Sequence, residues 1–148
     1  MATAAQTLAK FAADLKFEQI PDDVITRGRD CIIDTIAAAS YGAQFPWSRL
    51  VIDYAQRYGA GGPCSIFGVP GVKVHAPYAA LANGALGHAF EQDSVRDPGA
   101  GSHPGATVLP ALLAACEENP VDGKRALTAY VAAVEVMFRI AVASHHSP

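Results

Sequence analysis

Apolar residues recur at helical spacing along most of this chain, and that pattern predicts an all-α fold of about six helices. Leu8, Phe11, Ala12 and Leu15 place one stripe on a first short helix, with Lys10 and Asp14 on the other side. Pro21-Asp22-Asp23 then starts a second helix, because proline suits the first turn and acids there meet the positive end of the helix dipole. Val24, Cys31, Ile32, Ile36 and Ala39 form its predicted buried face, and Gly42 is its natural stop. A third helix begins at Pro46, with Trp47, Leu50, Val51, Tyr54 and Tyr58 as the apolar stripe, and it ends in the Gly59-to-Pro63 turn. Cys64 to Val69 and Val72 to His75 suit a short β-hairpin across Pro70-Gly71 within residues 64–75.

From Pro77 the chain turns to Ala, Gly, Leu and Asn, with no charge until Glu91. In a fourth helix Leu81, Gly84, Ala85 and His88 share one face, and the small residues let another backbone approach, so this helix is expected to be central and buried. Glycine costs about 1 kcal/mol against alanine inside a helix. Gly84 and Gly87 therefore argue for close packing or for room beside a ligand. Val108, Leu109, Leu112, Leu113 and Cys116 mark a fifth helix, in which Pro110 fits near the start and otherwise kinks it. Asp122 caps a sixth, with Leu127, Tyr130, Val131, Val134, Phe138 and Ala141 as core stripe and Glu135 paired to Arg139 one turn on. No repeat or linker divides residues 1–148.

Composition narrows the function classes. Hydrophobic residues make up 51% of the 148 positions and charged residues 17%, so most helices should be covered on more than one side. A net charge of -3 without a basic cluster argues against nucleic acid or an anionic membrane as partner. The amphipathic opening lacks the apolar core of a signal peptide, and the apolar runs are broken by Asp34, Pro110, Glu135 and Arg139, so none is expected to span a bilayer. Cys31, Cys64 and Cys116 are scattered, odd in number and without metal-ligand spacing. A reducing cytoplasm is the default location, and no cofactor or metal is called for.

Chemistry concentrates between the fourth and fifth helices. The segment from His88 to His103 holds two histidines, the acids Glu91, Asp93 and Asp97, and Arg96. A polar loop held by two buried helices is a suitable catalytic platform, because the helices fix the geometry of the groups the loop supplies. His88 at a helix end is more often a hydrogen-bonded structural residue. Arg96 either clamps a carboxylate or pairs with Asp97, and Asn83 binds substrate or holds backbone. A metal-dependent hydrolase using His88, Glu91, Asp93 and His103 is the weakest alternative, since His-x-x-Glu is a poor ligand signature.

The run ANGALGHAFEQDSVRDPGAGSHPGATVLPALLAACEE, and more broadly residues from about Cys31 to Ser144, resembles the N-terminal part of the MmgE/PrpD family. Its pattern of Ala-x-x-Asn-Gly, His-x-x-acid-x-Asp-Asp and His-Pro-small is met by Ala80 to Gly84, His88, Glu91, Asp93 and His103-Pro104-Gly105. Ser94 stands where the family commonly has a second aspartate, and Gln92 replaces an apolar residue. The resemblance implies a helical, usually dimeric domain whose separate lid closes over a small polycarboxylate such as 2-methylcitrate or cis-aconitate. It further implies dehydration, decarboxylation or epimerisation without a cofactor, and a chain that is a fragment or one half of a split enzyme whose missing half another chain supplies, with a homodimer or a complex with a complementary chain as the expected assembly. A non-catalytic dimerisation or interaction remnant is the alternative.

Such chemistry needs a group that moves a proton beside a carboxylate. His103, in the first turn of the fifth helix if Ser102 or a near neighbour caps it, is the expected proton-transfer residue, kept neutral by the dipole. Glu91 and Asp93 are the expected acids; period-two spacing separates them unless the backbone turns, so only one is expected to touch substrate, and the resemblance favours Glu91, which occupies the family's first acid position. His88, Arg96 and Asn83 are the expected substrate-binding residues.

Overall fold

A computed structural model of the chain describes residues 2–96 and 101–145. It contains helices α1 (Ala4–Asp14), α2 (Asp22–Gly42), α3 (Ser48–Gly59), α4 (Ala76–Gly87), α5 (Pro104–Glu118) and α6 (Gly123–His145), with a 3₁₀ turn at Phe17–Gln19. Strands β1 (Ala60–Ser65) and β2 (Lys73–Val74) pair antiparallel. The expected helical bundle and its hairpin are both present, with the first strand beginning earlier than the apolar run suggests.

Helix α4 is the central element, packed on α2, α3 and α5. Its buried side carries Ala79, Ala82, Asn83 and Leu86. Ala79, Ala82 and Leu86 meet Ala39 of α2, Ile52 and Ala55 of α3, Cys64, Ile66 and Val74 of the hairpin region, and Ala114 of α5 in one core cluster. A second cluster, around Leu109, Leu127 and Tyr130, seats α6 on α2 and α5. The hairpin is fastened to α5 through Glu117, which accepts hydrogen bonds from the Ser65 amide at 2.8 Å and the Ser65 hydroxyl at 2.6 Å.

Several faces differ from expectation, those of α3 and α4 for one physical reason. On α3 the core is met by Ser48, Ile52, Ala55 and Gly59, while Trp47, Leu50, Tyr54 and Tyr58 are 46–76% exposed. Close approach selects the small-residue face: a Cβ on Gly59 would stand 2.5 Å from the Tyr78 ring. Helix α4 behaves alike, turning Leu81, Gly84, Ala85 and His88 to a cleft instead of the core. Helix α1 buries no residue fully, with Leu8 and Leu15 half-buried and Phe11 and Ala12 exposed, and Val24 of α2 is also exposed.

Pro110 lies inside α5, past the first turn. Having no N–H, it leaves the Ala106 carbonyl without its helical donor. Gly84 lies against that carbonyl, where a Cβ would approach to 2.7 Å. The paired oddities of the two helices are thus one contact, and glycine at 84 is required by space. The Asp122 carboxylate caps α6 through the Arg125 amide at 2.8 Å, and Glu135 pairs with Arg139, both as expected. One correction concerns α6: by length and composition alone Gly123–Ser144 is long and apolar enough to cross a membrane, with 17% of its most apolar stretch buried. After Arg125 the helix carries only Glu135 and Arg139 as charges, opposite in sign and one turn apart, which is why counting broken segments missed it.

Candidate functional site

The segment between α4 and α5 folds around Asp93. Its carboxylate is fully buried, and each oxygen meets one imidazole: Oδ1 lies 2.8 Å from His88 Nδ1, and Oδ2 lies 3.2 Å from His103 Nδ1. His88 ends α4 as its C-cap residue and His103 is the N-cap residue of α5, so two helix termini deliver the rings from opposite sides. The rings stand edge to face with centroids 4.9 Å apart. Beside them opens a cleft of about 470 Å³ lined by Leu81, Gly84, Ala85, Ala106 and Thr107 as well as both histidines.

Glu91 takes a left-handed backbone, φ 58°. Such a conformation is uncommon outside glycine, asparagine and aspartate. It supplies the turn that period-two spacing lacks, so that Glu91 and Asp93 reach the same imidazole on its two nitrogens. Glu91 Oε1 is 3.0 Å from His88 Nε2. The Asp93 hydrogen bond, against the opposing pull of desolvation and aided by the charges of Asp93 and Glu91, raises the His88 pKa above its ordinary value. His103 spends Nδ1 on Asp93, which leaves Nε2 as the nitrogen able to exchange a proton with a ligand.

The start of α5 is capped across the loop. His103 makes no side-chain cap of its own, and the Ser94 hydroxyl instead accepts from the Gly105 amide at 3.2 Å. The expectation that Ser102 or a near neighbour caps the helix, with His103 in its first turn, is corrected in one respect: His103 is itself the N-cap residue, and the hydroxyl that meets the Gly105 amide is that of Ser94, whose role depends on a loop closure no local signal announces. The residue after His103-Pro104 must be small for the same packing: a Cβ on Gly105 would lie 2.5 Å from the Thr35 hydroxyl and 3.0 Å from that of Ser94. Ser94→Ala is expected to lower unfolding free energy by about 1 kcal/mol, the usual worth of an N-terminal cap, in urea titrations of the two proteins. An unchanged midpoint would mean that this hydroxyl does not hold the helix.

Of the other expected residues, Asn83 is outside the cluster. Its amide is used on backbone, accepting from Phe67 N–H at 2.8 Å and donating to the Ser65 carbonyl at 2.9 Å. Arg96 is drawn the other way, its guanidinium 4.7 Å from the centre of the Phe138 ring on α6. There it lines a second cleft of about 920 Å³ with Arg27, Cys31, Ser94 and Tyr130. Burial pushes the Tyr130 phenol up to about 12, with Cys31 adding to it. The pairing of Arg96 with Asp97 falls outside the described residues.

A residue the sequence reading did not weigh for this site is Trp47. Its indole N–H donates to the Ala89 carbonyl at 3.1 Å, and its ring stacks on Phe45 at 4.7 Å, tying the turn after His88 to the start of α3.

Comparison with known proteins adds an independent line. Residues 6–147 match the family model described as MmgE/PrpD N-terminal domain. The cis-aconitate decarboxylase of Aspergillus terreus is 34% identical over 117 residues, covering 79% of this chain and 24% of that protein. The human cis-aconitate decarboxylase is 29% identical over 130 residues, covering 85% and 27%. The cis-aconitate decarboxylase-like protein oryM of Aspergillus oryzae is 31% identical over 146 residues, covering 93% and 30%. The chain thus spans between 24% and 30% of the length of these relatives.

Proposed function

Because this chain belongs to the MmgE/PrpD family, we propose that it carries the proton-transfer part of a cofactor-independent lyase or isomerase of small di- and tricarboxylic acids. Among these, decarboxylation of a cis-aconitate-like acid is the reading its relatives favour. The observation that carries the proposal is the buried Asp93 carboxylate held between His88 and His103 at the edge of a cleft. His103 is the proton-transfer residue. In decarboxylation the carbon–carbon bond breaks, CO₂ leaves, and the electron pair left on carbon takes a proton from the Nε2 of an imidazolium. In dehydration or epimerisation the neutral ring instead removes the proton beside a carboxylate.

Asp93 is a positioning residue, fixing the ring's orientation through Nδ1, as a buried carboxylate does for a catalytic histidine. Glu91, mostly exposed and 3.0 Å from His88 Nε2, is the acid that meets substrate or water. Cations to hold the substrate carboxylates come from outside residues 1–148, which span 24% to 30% of the length of the relatives. The apolar side chains of Trp47, Leu50, Tyr54, Tyr58 and Leu81, all exposed, favour association with the part that supplies them, and they equally support the alternative of a non-catalytic interaction remnant.

The test is an assay of the folded chain, alone and with a complementary lid-bearing chain, following cis-aconitate and 2-methylcitrate. Turnover that His103→Ala reduces by on the order of 100-fold or more is expected. Turnover indifferent to that substitution would remove His103 from the chemistry, and none in either mixture would leave the interaction remnant as the reading.

A further inference from the structure

The same cluster has the composition of a metal site. His88, Asp93 and His103 each offer a ligand atom lying within 4.8 Å of the other two. Two imidazole nitrogens and one carboxylate form a donor set well matched to Zn²⁺, which takes three protein ligands and keeps a fourth position open in its non-structural sites. Tetrahedral zinc with bonds of about 2.0–2.1 Å brings its donors to about 3.3 Å from one another. The Asp93 oxygens already stand 2.8 and 3.2 Å from the two Nδ1 atoms, so closure asks mainly for rotation of the rings. Both rings are free enough for it, their side chains being 41% and 33% exposed, while the carboxylate between them is wholly buried.

A second feature points the same way. Metal-bound imidazoles nearly always give their other nitrogen to a carboxylate, a carbonyl or water, which fixes the tautomer that leaves a lone pair for the metal. Glu91 Oε1 sits at that other nitrogen, 3.0 Å from His88 Nε2, held there by its left-handed backbone. With the proton on Nε2 and donated to Glu91, Nδ1 presents its lone pair toward Asp93.

We propose that His88, Asp93 and His103 bind one Zn²⁺ ion per chain, with Glu91 orienting His88, and that the ion replaces the protons through which Asp93 holds the two rings. The inhibitory consequence rests on the function proposed above: zinc on His103 Nδ1 displaces the Asp93 hydrogen bond and leaves the ring's one proton on Nε2, so the ring can neither take up a proton there nor become imidazolium; zinc therefore blocks turnover and chelation restores it. Binding itself does not depend on that reading.

The experiment is calorimetric titration of the folded chain with ZnCl₂, paralleled by the visible absorption of tetrahedral Co²⁺. One saturable site is expected in the parent protein. Asp93→Asn and His103→Gln should each weaken it by at least about tenfold, and Glu91→Gln by about 10- to 100-fold. His75→Gln, which alters an exposed histidine outside the cluster, should leave it unchanged. Absence of a saturable site, or equal affinity in His103→Gln and parent, overturns the proposal. His103→Gln serves even if Asp93→Asn loses its helical circular dichroism, because its ring is partly exposed. If zinc binds as expected while no activity is found in any mixture, the site stands and only the inhibitory consequence falls.

Discussion

Asp93→Asn is expected to lower turnover of the completed enzyme by on the order of 10²- to 10⁴-fold, the range seen when a histidine loses the carboxylate that orients it. The substitution keeps the shape of the side chain and removes its charge. Each ring meets a different Asp93 oxygen, and an amide replaces one of these acceptors with an NH2 donor, so at least one ring loses its fixed orientation. The same change has a readout in this chain alone. In the parent protein the His88 pKa is raised, first by its hydrogen bond to Asp93. A raised folded value means that the imidazolium is favoured by folding. The stabilisation it gives is fully present below the unfolded value of about 6.5 and is lost as pH rises through the higher folded value. Parent stability should therefore decline above about pH 6.5 by this contribution, and the Asp93→Asn protein should show less of that decline, keeping only the part due to Glu91. Histidine NMR titration would show the His88 midpoint moving down in the variant. A midpoint that stays put would mean that Asp93 does not govern His88, and would weaken its parallel assignment to His103.

Signals that act over one helical turn were legible in the sequence. Pro21-Asp22-Asp23 precedes and opens α2, Asp122 caps α6, and Glu135 finds Arg139 four residues on. The His88, Asp93 and His103 positions were also legible, because the family pattern names them in order. What local pattern could not give was direction. Helix α3 is apolar on two faces, and the face that enters the core is the one whose small residues admit α4, not the one with the larger side chains. The joint clamp on Asp93 was hidden for a related reason. It depends on the left-handed turn at Glu91 and on two helix termini meeting, neither of which is a property of spacing. Arg96 follows the ring of Phe138, a contact made only once α6 is in place.

Gly42→Ala should be strongly destabilising, with unfolding free energy reduced by on the order of 3 kcal/mol or more, at or beyond the upper end for overpacked sites. A Cβ there would overlap the Leu86 carbonyl oxygen and lie 2.9 Å from its carbon, with the Ala89 methyl at 3.3 Å. The first two are backbone atoms, so no rotamer change relieves the clash, and α2 must move from α4. That movement opens the cluster in which Ala39, Ala82 and Leu86 are fully buried. Against a total stability of about 5–15 kcal/mol for a domain, such a loss is large. Gly123→Ala is the control, since nothing lies within 4 Å of its added methyl, and it should stay within about 0.5 kcal/mol of the parent. Urea unfolding of the three proteins decides the matter, and equal midpoints would disprove the close α2–α4 contact. Because Leu86 lies two residues before His88, the displacement should also reach the imidazole. A Gly42→Ala protein that remains folded is then expected to show a shifted His88 titration although the substitution is on α2, which would tie the helix contact directly to the geometry of the site.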